Sequence, residues 1–551
     1  MTDSIFESLD ILNNPYIKIL DPACGCGYFL DEAYNKLYEI YIRDIEIINA
    51  RYPELNLKLE NIHEHIIKNN IFGADIDIYA VKLSVINLMM KKPSSIVIPY
   101  IVCCDSIINW EDTLLEGAKF WENKFDIIIG NPPYIGHKKM SGDYRKTLNN
   151  IYGDIFKGKA DISFCFIKSS IDRLSSEGRL CFITSRYFIE SSSGKPLRRY
   201  IKTNCKIERI IDFYGVRIMK GISIDPVIIF LKKSDPVDDD YINVTKAEAT
   251  LKKVKSNNVF NEIIKKNDKY FKFFLVPQID LDDDGWILCN ESETSIIKKI
   301  ECRLSLRLMD ICESFQGIIT GCDKAFIIDN DKMKELNIEN DIIKKWIKNS
   351  YIKKYKVEHS NLNIIYSDFI QDIFKYPAAI SYIEPCRLKL EMRRECISGA
   401  RKWYQLQWGR DYKLFDMRKI IFPYKSASNR FAIDEGSYSS ADVYGLYLKE
   451  KYSGTLSYEF LIGVLNSKLY EFYFKSFAKK LGDDMYEYYP NTVLRLKVLG
   501  EEDSYITNLV RQISDCNDED NISDLIININ RRIYEIFELT NCEIDIIESR
   551  V

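Results

Sequence analysis

The chain has 551 residues, 46% apolar and 29% charged, with a formal net charge of −4; this is a soluble globular composition long enough for two to four domains with cores of their own. No apolar run approaches the ~20 residues that a membrane-spanning helix needs, and Met1–Asp10 lacks the basic-then-apolar pattern of a signal peptide, so a cytoplasmic protein without a membrane partner is expected. A net-acidic chain binds nucleic acid only through local basic patches.

In chain order, Tyr16–Leu20 reads as a strand that runs into Asp21-Pro-Ala-Cys-Gly-Cys-Gly27. From Phe29 the apolar residues Phe29, Leu30, Ala33, Leu37 and Ile40 fall at helical spacing. Strand, glycine turn and helix form the opening of a nucleotide-binding α/β unit, and Gly25 and Gly27 would let the backbone approach a ligand closely. Residues 51–70 read as a polar helical insertion. A second strand, Ile71–Ala74, ends at Asp75-Ile76-Asp77, where a ribose diol is commonly held. Tyr79–Met90 is helical, and a third strand, Ile96–Cys103, again leads to an acid, Asp105.

The fourth strand, Phe125–Gly130, delivers Asn131-Pro132-Pro133-Tyr134. Two prolines fix two φ angles and hold the residues before them extended. The Asn131 amide, the neighbouring carbonyls and the Tyr134 ring are thus presented rigidly, as suits an amino group on a flat ring. Taken singly, the tetrapeptide could be a tight turn and each acid a helix cap; the ordered series at successive strand ends is what argues for a site. Asp161–Leu174 then reads as a helix. Arg179–Thr184, Ile207–Phe213 and Val227–Leu231 read as strands, with a loop, 214–224, near the site.

The composition changes sharply at Lys232–Asp240, which sets the expected domain boundary. Beyond it aromatic and basic residues interleave: Trp346, Tyr351, Tyr355, Trp403, Tyr404, Trp408, Tyr412 and Tyr424. Residues 384–430 hold 12 Lys/Arg against five Asp/Glu, and residues 343–356 hold six lysines and no acid, a surface suited to phosphates and bases or, more simply, an ordinary solvated face. The 15 cysteines are scattered without paired CxxC spacing, so no metal site is expected. Of the four histidines (His63, His65, His137 and His359), His63 and His65 lie two apart in a charged stretch and read as solvated surface; a Ser-His-Asp or zinc hydrolase is poorly supported.

Asp21-Pro-Ala-Cys-Gly, Asp75, Asp105 and Asn131–Tyr134, in this order, resemble the S-adenosylmethionine-dependent N6-adenine DNA methyltransferases of the γ class. Phe315–Phe326, Arg401–Gly409, Tyr424-Lys-Ser426 and Ser440–Tyr444 extend the resemblance, over nearly the whole chain, to the orphan clostridial adenine methyltransferases. The resemblance implies an α/β fold: a Rossmann-like catalytic domain over 1–235, then a mixed α+β target recognition domain over 241–551. It implies that Asp21, Pro22, Ala23, Cys24, Gly25, Gly27 and Phe29 cradle the methionine end of S-adenosylmethionine, that Asp75 holds its ribose, that Ile76 packs on its adenine and that Asp105 accepts from the adenine amino group. Asn131 and the Pro132 carbonyl would accept the two N6 hydrogens of a target adenine, with Pro133 stiffening the turn and Tyr134 stacking on the flipped base. Lys324, Arg401, Trp403, Arg410, Lys425 and Arg430 are the candidate DNA contacts. The partner implied is double-stranded DNA, bound by a monomer.

Two departures stand out. The family's Gly-Tyr-Tyr-Thr-Pro stretch, which closes one wall of the cofactor pocket, is missing ahead of the first strand, and Met219 occupies a position where relatives place a phenylalanine against the flipped base. A methyltransferase of a restriction-modification system and, less favoured, a protein-glutamine or RNA methyltransferase are the alternatives to an orphan DNA enzyme.

Overall fold

The computed structural model describes residues 11–108, 120–216, 218, 224–255, 258–358, 360–481 and 484–551. It divides into two compact units, Met1–Glu291 and Ser292–Val551.

The first unit is organised on a nine-stranded sheet. Its strands are β1 (Ile19–Asp21), β2 (Ile71–Asp75), β3 (Tyr100–Cys103), β4 (Phe125–Gly130), β5 (Leu174–Ser185), β6 (Lys206–Asp212), β7 (Pro226–Lys232), β8 (Tyr241–Ala247) and β9 (Phe271–Pro277). They lie in the order β3-β2-β1-β4-β5-β7-β6-β8-β9. Strands β1 to β5 are parallel to their neighbours among themselves, and β7 is antiparallel to both β5 and β6. Helices α1 (Tyr28–Arg51), α2 (Ile62–Asn69), α3 (Ile78–Met89), α4 (Gly142–Tyr152), α5 (Ile162–Arg173) and α6 (Lys195–Asn204) form the connections.

The apolar character of Phe125-Asp-Ile-Ile-Ile-Gly follows from burial on both faces. Ile128 joins one core with Leu20, Leu180 and Ile229, while Ile127 and Ile129 join the other with Ile19, Cys181 and Ile228, the period of two that a strand imposes. The chain leaves β1 towards β2 and β3, then returns on the other side of β1 to lay down β4. The carboxyl ends of β1 and β4 therefore flank the switch point, where open α/β sheets hold their ligands.

The structure corrects several expectations. The boundary does not fall at Lys232–Asp240. That run turns β7 into β8, which pairs with β6, and β9 completes the edge, so the compact unit continues to Glu291. The third strand begins only at Tyr100, and α4 was not anticipated. His63 and His65 are buried rather than solvated. The polar-looking helix α2 packs against α1, where the Tyr34 hydroxyl meets His63 Nδ1 at 2.9 Å and His65 Nε2 lies 2.9 Å from the Pro15 carbonyl and 3.2 Å from the Tyr41 hydroxyl.

The second unit is mixed α+β. One four-stranded sheet joins Cys312–Gln316, Val443–Leu448, Lys419–Pro423 and Ala432–Asp434; another joins Ile327–Asp329, Leu362–Ile365, Ile343–Ile347 and Tyr438–Ser439. Helices Tyr458–Leu465, Lys468–Phe477, Ser504–Asp515, Glu519–Ile536 and Asn541–Arg550 follow.

Candidate active site

At the end of β1 the chain turns through Pro22–Cys26 into α1. Gly27 sits at the helix start with φ +86°, and a Cβ there would fall 2.4 Å from Ser84 Oγ of α3. Gly25 differs: at φ +52° a Cβ would meet nothing within 4 Å. Gly27 is thus required for packing, whereas Gly25 lines open space. The turn is braced by Asp75, whose Oδ2 accepts from the Gly25 amide at 2.8 Å and whose Oδ1 accepts from Asp77 at 2.9 Å. Cys24 is buried and donates its amide to Ala74 at 3.0 Å; burial pushes its thiol up. Pro22 is buried and its carbonyl accepts from the Ser106 hydroxyl, Ala23 is half-buried, and Phe29 packs on the core beneath α1.

Next to β2, Ile76 is 70% exposed, an apolar platform offered to a flat ring. Asp105 has less to offer than the sequence suggests. Its Oδ1 accepts from the amides of Ile107 (3.0 Å) and Ile108 (3.2 Å), and its Oδ2 accepts from the Tyr144 hydroxyl on α4 at 2.9 Å. Tyr144 thus reaches the expected adenine acceptor, a neighbour with no signal in the sequence.

The Asp21 and Asn131 segments are brought together. A Cβ on Gly130 would stand 2.7 Å from Asp21 Oδ1, so the last residue of β4 must be a glycine for the two strand ends to abut. Asp21 is 1% exposed; its Oδ1 accepts from the Ala23 amide at 3.0 Å. Burial, reinforced by Asp75 and opposed by the Ala23 amide, pushes its carboxyl up to about 7. Beyond Gly130, Pro132 is buried and Asn131, Pro133 and Tyr134 are half-buried. The Tyr134 hydroxyl donates to Asn131 Oδ1 and lies 3.0 Å from the Ile183 carbonyl of β5. Burial, with the Asp161 carboxylate behind it, pushes this hydroxyl up. The next turn is stitched to α5, where Ile162 donates to the Ile135 carbonyl at 3.2 Å and Asp161 caps the helix through Ser163 at 2.9 Å.

The loop after β6 starts from a buried ionic cluster. Arg186 Nε donates to both carboxylate oxygens of Asp212 (2.9 and 3.0 Å), and Nη1 donates to Glu190. Burial disfavours the Arg186 charge, but Asp212 and Glu190 outweigh it and hold the guanidinium above its ordinary value. Two cations lie over the Tyr214 ring, Arg186 at 5.1 Å and Lys246 at 4.2 Å from its centre. Met219, further along this loop, lies outside the described residues.

The candidate DNA contacts of the second unit divide. Lys324 and Lys425 are exposed. Arg410 is exposed, but its guanidinium reaches the Gln316 side chain at 2.8 Å. Arg401 pairs with Asp368 at 2.9 Å, and Trp403 is half-buried beneath Arg387. Arg430 ties a turn together through Ser426 Oγ (2.8 Å), the Ile352 carbonyl (3.1 Å) and Asn349 Oδ1 (3.2 Å). Trp346, Tyr355 and Tyr404 are core residues, whereas Trp408 and Tyr412 are 44% and 40% exposed. Among the described residues no cluster of His, Cys, Asp and Glu could hold a metal ion, and no helix is long and apolar enough to cross a membrane.

Three family models match the chain: the MmeI DNA-methyltransferase domain over residues 9–96, the Eco57I restriction-modification methylase over 69–218, and the TaqI-like C-terminal specificity domain over 344–497. The Type II methyltransferase M.BstVI of Geobacillus stearothermophilus is 22% identical over 97% of this chain and 93% of its own length. M.BanIII of Aneurinibacillus aneurinilyticus is 25% identical over 76% of this chain and 73% of its own. The structure of the Type IIL restriction-modification enzyme MmeI in complex with DNA shares the fold, with a TM-score of 0.66 at 14% identity, covering 98% of this chain and 74% of that one. The chain thus matches methyltransferase domains of the Eco57I and MmeI type in its first part and a TaqI-like specificity domain in its second, and the curated relatives that it resembles are Type II methyltransferases.

Proposed function

We propose that the protein transfers the methyl group of S-adenosylmethionine to N6 of an adenine flipped out of duplex DNA. The observation that carries this reading is the abutment of Asp21, which opens the glycine turn, and Gly130, which leads into Asn131–Tyr134, at the switch point of the sheet. The residues present fit the cofactor. Gly25 leaves open space for a ligand, Asp75 sits at the end of β2 where a ribose diol would reach it, and Ile76 offers an exposed apolar surface.

S-adenosylmethionine, when bound, supplies an electrophilic methyl group. The protein's own contribution is to orient the acceptor. Asn131 Oδ1 and the Pro132 carbonyl accept the two N6 hydrogens, which draws the nitrogen towards tetrahedral geometry and frees the lone pair that is otherwise conjugated with the ring. Holding that lone pair in line with the methyl is mainly an orientation effect. Tyr134 supports the base by stacking, and releases Asn131 Oδ1 by turning its single proton to the Ile183 carbonyl. No covalent intermediate on the protein is required.

The matched specificity domain favours DNA over a protein-glutamine or RNA substrate. The likeness to Type II methyltransferases favours a restriction-modification component over an orphan enzyme. Methylome sequencing of a host expressing the chain reports modified base and target sequence together. Asn131→Ala is expected to abolish methyl transfer and leave DNA affinity nearly unchanged; retained transfer overturns the role given to Asn131, and cytosine modification overturns the N6-adenine reading.

A further inference from the structure

Asp21 stands apart from the other acids of the crevice. Asp75 and Asp105 each have both oxygens engaged by donors. Asp21 is the more deeply buried, yet its Oδ2 has no hydrogen-bond partner among the described residues. A buried carboxylate with an unpaired oxygen is costly unless it is neutral or meets a positive charge. The titratable groups acting on it are acidic or neutral. Asp75 on β2 raises its carboxyl further, Cys24 lies in its own turn with a thiol that burial keeps protonated, and β4 presents Gly130. No cationic side chain is among them.

The position of this orphan oxygen is informative. Asp21 ends β1 and opens the turn that contains Gly25, and its carboxyl group stands against Gly130, the glycine that precedes Asn131, where an added Cβ would fall 2.7 Å from Oδ1 and 3.6 Å from Oδ2. On the reading of this crevice as the cofactor pocket, on which the inference rests, this is where the methionine end of S-adenosylmethionine enters. That end carries an ammonium, a sulfonium and one carboxylate, so its net charge is positive, and its two cationic groups are the candidates to face Asp21. We propose that Asp21 holds its proton in the empty enzyme and gives it up to solvent when the positively charged end of the cofactor enters, so that cofactor binding and proton release are one event. The step balances without a co-reactant: the carboxylic O–H bond breaks, the proton passes to the buffer, and the carboxylate keeps the electron pair and faces the incoming cation. The empty pocket then carries no buried unpaired charge, and the filled one carries a matched pair.

The test is calorimetric titration of S-adenosylmethionine into the full chain in buffers of different ionisation enthalpy. About half a proton is expected to be released per cofactor near pH 7, close to one near pH 6 and almost none near pH 8.5. The dissociation constant should weaken about tenfold per pH unit below about 6.5 and level off above about 8. Asp21→Asn, with its fold checked by circular dichroism, should bind with no buffer-dependent enthalpy; if this variant fails to fold, the pH series of the natural chain decides alone. S-adenosylhomocysteine, which lacks the sulfonium, separates the two charges. Undiminished release assigns the effect to the ammonium, and lost release assigns it to the sulfonium. A buffer-independent enthalpy with a flat dissociation constant, or proton release that survives in Asp21→Asn, overturns the inference while leaving the cofactor pocket intact. Absence of any S-adenosylmethionine binding overturns the pocket assignment itself.

Discussion

The Tyr134 hydroxyl donates to Asn131 Oδ1 and has the Ile183 carbonyl 3.0 Å away as an alternative acceptor. A phenol has one proton to give. The contact therefore holds the Asn131 amide in place without a second donor, and the proton can turn to Ile183 when an amino group takes its position. The ring need not move for this exchange.

Ring and hydroxyl can be tested apart. Tyr134→Phe keeps the ring and removes a donor that two acceptors share, at a stability loss of about 1 kcal/mol. Methyl transfer in a single turnover is expected to stay within about fivefold of the natural chain, since the stacking surface survives. Tyr134→Ala removes the ring and is expected to lower kcat/KM by about 10- to 100-fold, the equivalent of about 1–3 kcal/mol of base stacking. If the two variants lose activity equally, the hydroxyl and not the ring is what the reaction uses.

Asp21 makes a second prediction, on stability. Its carboxyl is raised from 3.8 to about 7 in the fold, so between those values the folded chain binds a proton that the unfolded chain does not. Stability from this group is full below pH 3.8, falls as pH rises towards 7, and stays low above it. Asp21→Asn removes the penalty. Without cofactor, the variant is expected to melt above the natural chain at pH 8, by an amount that reflects at most a few kcal/mol, and to lose that advantage near pH 4.5. Thermal melts at the two pH values decide it; an equal effect at both would show that Asp21 does not titrate in this range.

Much of the first unit could be read from the chain because its signals are local. Ile127, Ile128 and Ile129 are apolar in succession because β4 is buried on both faces, and Gly25 and Gly27 mark a turn whatever packs on it. The elements that escaped depend on partners distant in sequence. The pairing of β8 with β6 cannot be seen in Tyr241–Ala247 itself, so a charged turn passed for a domain boundary. His63 and His65 looked solvated because the Tyr34 and Tyr41 hydroxyls that accompany them lie a helix away. The same limit applied to the basic residues of the second unit: a count of charges does not say which are already paired. The Tyr144–Asp105 contact spans 39 positions and has no motif.

Lys425 and Lys419 turn that limit into a prediction. Both lie in the basic stretch, but Lys425 is exposed, whereas Lys419 is buried with Nζ 2.6 Å from Asp434. Lys425→Ala is expected to weaken DNA binding similarly across sequences and to reduce the dependence of log affinity on log salt by about one unit. Lys419→Ala leaves Asp434 buried without its cation and is expected to destabilise the second unit by about 3–5 kcal/mol, with DNA affinity per folded molecule unchanged. A fluorescence anisotropy series in salt and a urea titration read the two effects separately, and a change in salt slope for Lys419→Ala would place that lysine at the DNA instead.

The cluster of Arg186, Glu190 and Asp212 at the carboxyl end of β6 gives an ordered prediction. Arg186 serves two carboxylates, whereas Asp212 is only one of the two anions that Arg186 holds. Asp212→Ala thus leaves the guanidinium still paired with Glu190. Arg186→Met removes the cation from both acids in a site that excludes water, where an uncompensated charge costs about 3–5 kcal/mol. Urea unfolding is expected to rank Arg186→Met as more destabilising than Asp212→Ala. The double variant Arg186→Met/Asp212→Leu should recover part of the loss, because both members of the pair become apolar. The Tyr214 ring, held against Arg186, begins the loop, so each single variant should also slow methyl transfer more than it weakens DNA binding. Equal destabilisation by the two single variants would mean that Glu190 contributes nothing to holding Arg186 charged.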